Sequence, residues 1–67
     1  MKETIRIEYV IEKDGLYYND HNNTVKWFDT PFYMDSVFVD EKAAEKFAEE
    51  YNANVRKFII TAEVEEN

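Results

Sequence analysis

Residues 40–51, DEKAAEKFAEEY, decide the fold. Ala43, Ala44, Phe47, Ala48 and Tyr51 recur at helical spacing and form one apolar stripe, while Glu41, Lys42, Glu45, Lys46, Glu49 and Glu50 take the remaining positions. Asp40 stands where a carboxylate accepts from the free amides of a first turn, so a helix is predicted from Glu41 to about Tyr51. Asn52-Ala53-Asn54 ends it, because asparagine tolerates the left-handed backbone of a cap when glycine is absent. The apolar stripe must be buried, its alanines allow a close approach, and a sheet is the only other structure available beneath it.

The flanking sequence supplies that sheet. In residues 4–12, Ile5, Ile7, Tyr9 and Ile11 fall on one side with Arg6, Glu8 and Glu12 on the other, and only Val10 breaks the alternation of a half-buried strand. Asp14-Gly15 provides the positive φ angles of a tight hairpin, folding Leu16-Tyr17-Tyr18 back beside it. Asn19-Asp20-His21-Asn22-Asn23 marks a second turn, and Thr24-Val25-Lys26-Trp27-Phe28 a third strand rich in β-branched and aromatic residues. Pro31 cannot donate to a ladder and biases Thr30 toward extended backbone, so the meander stops there; residues 32–39 read as a loop, an edge strand or both. After the helix, residues 55–64 form a long strand with Phe58, Ile60, Ala62 and Val64 on the core side and Ile59 as the exception.

The expected fold is therefore α+β: a four-stranded, mostly antiparallel sheet with one helix on one face, in the order βββαβ. Residues 1–67 make a single domain, with 65–67 a frayed acidic tail. With the last strand beside the first, a right-handed crossover through the helix would make the two parallel, in sheet order 3-2-1-4. The chain contains no repeats and reads as an entire small gene product.

Composition narrows the function classes. A 67-residue chain has room for one core, buries only about 60% of its unfolded surface and is stable by on the order of a few kcal/mol. Without cysteine there are no disulfides or thiolate metal sites, and a reducing cytoplasm is the natural compartment. The first residues lack the apolar run of a secretory signal, and Phe58-Ile59-Ile60-Thr61-Ala62 is far short of the ~20 residues of a membrane span. Fifteen acids against eight bases give a net charge of −7, which disfavours direct nucleic-acid binding and suits either solubility or docking on a basic protein surface.

Catalytic and metal-binding patterns are thin. His21 is the single histidine, and a calcium loop counted from Asp20 fails at Val25 and Pro31, where glycine and glutamate are required. Ser36 is the single serine, with no nucleophile elbow around it, and Asp29, Asp35 and Asp40 would become an acid–base pair only if burial separated their pKa values. One glycine excludes phosphate-cradling loops, and so small a core leaves little room for an enclosed pocket. The expectation is a protein without enzymatic activity, cofactor or metal.

The aromatic residues carry more information. Seven of eleven lie between Tyr17 and Phe38, more than a one-helix core buries easily, and the adjacent pairs Tyr17-Tyr18, Trp27-Phe28 and Phe32-Tyr33 must send one ring to each face of a strand. Trp27, Phe32, Tyr33 and Met34 are thus candidate partner contacts, the alternative being that residues 32–38 fold over the open sheet face as a second small core. Glu41, Glu45 and Glu49, spaced about 6 Å apart along the helix, form an acidic ridge; with Asp35 they are candidate phosphate substitutes. Lys42 and Lys46 can neutralise that ridge as ordinary helix-surface pairs.

In size, acidity and βββαβ layout the chain resembles small proteins of phages and other mobile elements, some of which inhibit host defence enzymes such as CRISPR nucleases. The resemblance contains no motif and brings no functional residues. It implies an inhibitor that docks on a larger protein, one that normally holds nucleic acid, as a nucleic-acid mimic. A structural or regulatory homo-oligomer, paired through the open sheet face as a homodimer, is the alternative.

Overall fold

Two pairs of left-handed residues set the strands. Asp14 and Gly15 (φ 53° and 79°) turn β1 (Lys2–Lys13) into β2 (Leu16–His21), and Asn22 and Asn23 (φ 54° and 59°) turn β2 into β3 (Thr24–Phe28). Gly15 also donates its N–H to Glu12 (3.2 Å). That bond, with the Arg56 guanidinium, holds the Glu12 carboxyl below its ordinary value of 4.5. Helix α1 (Glu41–Glu50) starts where the Asp40 carboxylate accepts from the Lys42 amide (3.1 Å), and Asn52 at φ 53° ends it. Strand β4 (Asn54–Glu63) completes the order βββαβ. The computed structural model describes residues 1–66. Asn67, the end of the expected tail, lies outside the described residues, and Glu65 and Glu66 are exposed.

The sheet order is β3-β2-β1-β4, as expected, but every neighbouring pair is antiparallel. The expected parallel pairing of the first and last strands is therefore corrected. Strand β3 finishes at the end of the sheet where β1 also finishes, and a crossover helix starting there would have delivered a parallel β4. Instead residues 29–40 first run back, and Phe38 exchanges both backbone hydrogen bonds with Tyr9 (2.8 and 2.7 Å). The helix then returns, its last carbonyl at Tyr51 accepting from Lys13 Nζ (2.9 Å), so β4 opens opposite Glu12 and must run down β1.

This route exploits a split in the sheet. Strands β1 and β2 pair only at Glu12–Tyr17 and Lys13–Leu16. Beyond that point the edge of β1 belongs to Phe38, and the buried Ser36 hydroxyl accepts from Asn19 Nδ2 of β2 (3.2 Å). The segment begins on one face, where Tyr33 packs on Phe28 and Phe32 on Phe58, and ends on the other, where Phe38 meets Tyr18 and Phe47.

The main core lies between helix and sheet. Ile11, Tyr18, Ala44 and Ala48 are buried at its centre, with Tyr9, Val25, Trp27, Phe38, Tyr51, Ala53 and Val55 packed around them. Tyr18 is the hub: the rings of Trp27, Phe38, Phe47 and Tyr51 lie 5.6–5.9 Å from its own. Tilted and edge-on contacts of this kind contribute about 0.5–1.5 kcal/mol each beyond area burial. Burial, with the charge of Asp20 second, pushes the Tyr18 hydroxyl up to about 12.

One face assignment and two burials differ from expectation. Val55 faces the helix, because it stands opposite Ile11, so Phe58 and Ile60 lie on the far face, opposite Glu8 and Arg6. Val10, the break in the alternation of β1, is buried on that far face. Ile5 and Ile7 are exposed, since the N-terminal half of β1 and the C-terminal half of β4 extend as a two-stranded ribbon, interrupted by a register shift between Thr4 and Arg6.

Candidate functional site

On the face away from the helix, β1 and β4 form a floor of Arg6, Glu8, Phe58 and Ile60, walled by Phe32, Tyr33, Met34, Val37 and Val39. The groove is open and encloses about 470 Å³. Its position follows from the chain path: Pro31 halts the ladder after β3, the segment crosses the far face, and the short 3-10 turn Met34–Ser36 tips Met34 outward as Ser36 is drawn inward. The Ser36–Asn19 hydrogen bond is buried and anchors this turn to β2.

The groove is apolar with one fixed polar feature. Arg6 Nε lies 2.8 Å from Glu8 Oε1, and because Glu8 is largely buried the pair neutralises the floor. The rim is exposed to an unusual degree for large apolar side chains: Phe32 78%, Tyr33 50%, Met34 94% and Val39 76%. Phe32 and Tyr33 each hold one ring contact with the sheet, so their inner edges are fixed and their outer faces free. Residues 32–39 therefore both fold over the sheet face and leave apolar surface in water.

The predicted contact residues divide. Phe32, Tyr33 and Met34 meet at the groove, whereas Trp27 is on the helix face, half-buried and edge-on to Tyr18 and Tyr51. Asp35, beside Met34, bonds His21 (Oδ2 to Nδ1, 2.8 Å), which ties the 3-10 turn to the second hairpin. Glu41, Glu45 and Glu49 are exposed on α1, and Asp40 and Glu41 follow Val39 directly, so the acidic ridge begins at the end of the groove wall. The chain matches no known protein family, no curated protein and no solved structure.

The polar side chains form few groupings. Ser36 is fully buried on Asn19 while His21 pairs with Asp35, so the single serine and the single histidine have separate partners. Among the described residues no three His, Asp or Glu side chains come together as a metal-ligand group, and no helix is long and apolar enough to cross a membrane. Sequence reasoning missed the floor of the groove and the wall residues Val37 and Val39. The signal for the floor was Val10: an apolar residue on the polar side of β1 meant that this side, too, was covered.

Proposed function

We propose that this chain is a small, acidic, non-enzymatic protein-binding module that acts in the cytoplasm by docking its far-face groove on a larger protein. The observation that carries the reading is the rim of Phe32, Tyr33, Met34 and Val39, contiguous apolar surface held out by a hydrogen-bonded turn. Monomeric proteins rarely leave such patches unused, and aromatic and Met side chains are enriched at the centres of interfaces.

The partner's chemistry follows from the surroundings. Asp29, Asp35, Asp40 and Glu41 border the groove segment in a chain of net charge −7, so the complementary surface is basic with an apolar centre. A basic nucleic-acid channel meets both requirements. The module would then act as a phage-like inhibitor, with Glu41, Glu45, Glu49 and Asp35 standing where phosphates would otherwise lie. The alternative, a regulatory homo-oligomer, would seat a second copy on the same apolar rim.

The test is affinity capture from a lysate of the native host with tagged wild type beside a Phe32→Ser/Met34→Ser variant of verified fold, each washed at rising salt. A partner retained by wild type, lost by the variant and released steeply by salt supports the inhibitor reading. Equal retention by both proteins refutes the groove as the contact. Self-association of wild type that the double substitution abolishes favours the homo-oligomer.

A further inference from the structure

We propose that the free edge of β4 pairs antiparallel with the β4 edge of a second copy of this chain, centred on Ile60, independently of whatever the groove binds. Strand β4 is last in the sheet, bonded on one side to β1 alone, ten residues long and without proline or glycine. Such an edge is a template for another strand unless something blunts it.

The backbone fixes which residues would bond. Tyr9 spends its N–H and C=O on Phe38, away from β4, so its partner Lys57 exchanges no backbone bonds with it and turns both groups to the free edge. Val64, of the other parity, donates inward to Met1 (2.8 Å). Val55, Lys57, Ile59, Thr61 and Glu63 thus point their backbone groups outward, and a partner strand must match outward residue to outward residue on the same face.

The charges choose the register and the occupant. Lys57 and Glu63 both carry their side chains on the helix face, each is exposed, and neither has an ionic partner among the described residues. They stand at equal distances on either side of Ile60. A strand with opposite charges placed symmetrically about its centre is complementary to its own antiparallel image, so the fitting occupant is a second copy. Centring on Ile60 sets each Lys57 against the second copy's Glu63 and Ile59 against Thr61, and brings the two Ile60 side chains together beside the groove floor. Centring on Ile59 would oppose Lys57 with Thr61 and Glu63 with Val55, leaving all four charges unpaired. The paired sheets would also cover part of the exposed Ile59 surface.

Sedimentation equilibrium at about 0.15 M salt, where long-range repulsion between the acidic chains is screened, tests this. Wild type is expected to form a dimer. Lys57→Glu and Glu63→Lys, each of which creates two like-charge pairs, should raise the dissociation constant about tenfold or more. An equimolar mixture of the two variants should restore wild-type affinity, because both cross-strand pairs are then regenerated. Thr61→Pro, which removes an outward N–H and none bonded to β1, should stay folded by circular dichroism and be monomeric. A wild type that is monomeric up to about 1 mM, single variants that dimerise as wild type does, or a mixture no tighter than its components would each overturn the proposal. Protection of the β4 edge only by a foreign protein would assign it to another strand and overturn it equally.

Discussion

The two faces of one sheet are closed in different ways. The helix face is sealed at its centre by a regular element whose stripe of alanines and aromatics packs on Tyr18, while Ile7 and Ile59, on the same face where the β1–β4 ribbon runs past the core, stay exposed. The far face is closed by an irregular segment held at a few points: one buried hydrogen bond, two ring contacts and the strand-like bridge of Phe38. A helix must bury its stripe to exist, so its face is spent on stability. A loop pinned by Ser36 has no such obligation, and its remaining side chains are free for contact.

The comparison breaks if the helix face tolerates truncation. Tyr18→Ala removes the hub of the aromatic cluster and should cost about 3–5 kcal/mol, comparable to the whole stability of so small a domain. Urea denaturation should find it largely unfolded; a loss under about 1 kcal/mol would mean that the hub does not hold the face together.

The anchoring of the far face can be tested next. Asn19→Ala or Ser36→Ala leaves a buried polar partner unsatisfied and should cost about 1–3 kcal/mol each. The double substitution should cost less than the two summed, and full additivity would separate the turn from β2.

A smaller effect lies in alkaline solution. The Tyr18 hydroxyl is pushed up to about 12 from 10.0, so the folded chain keeps it neutral while the unfolded chain ionises. Its contribution is fully present below about pH 10 and is lost as the pH rises toward about 12. Thermal melts across that window should show the loss in wild type and its attenuation in Tyr18→Phe. The smallest effect is expected at Met34, whose side chain is 94% exposed: Met34→Ser should change stability by no more than about 0.5 kcal/mol.

Much of the architecture was legible because it rests on local chemistry. Asp40, Asp14-Gly15 and the periodicity of α1 each specify backbone within a few residues, and the structure has a cap, a tight turn and a helix at those places. The second turn, expected over Asn19–Asn23, shrinks to Asn22-Asn23 because Asn19, Asp20 and His21 pair with β3 as strand. Strand direction was not local. Whether β4 runs with or against β1 depends on residues 29–40 returning along the sheet before the helix begins, and that return depends on Phe38 finding the edge that β2 abandons. The face of β4 was ambiguous for a related reason: Val55 and Ile59 on one side and Phe58 and Ile60 on the other are equally apolar, so alternation alone could not choose. At the site, Phe32, Tyr33 and Met34 were readable as an excess of aromatic and Met residues after a proline. The separation of Trp27 from them required knowing which ring of the Trp27-Phe28 pair meets Tyr18.

Hydrogen exchange of the chain, alone and bound to a partner captured by wild type but not by Phe32→Ser/Met34→Ser, tests the division between faces most directly. The account predicts its largest new protection in residues 31–39 and in the neighbouring floor of β4, with a smaller change in α1, whose acidic side chains alone face the partner. Protection confined to α1 and β3, with the groove segment exchanging as it does in the free protein, would contradict it.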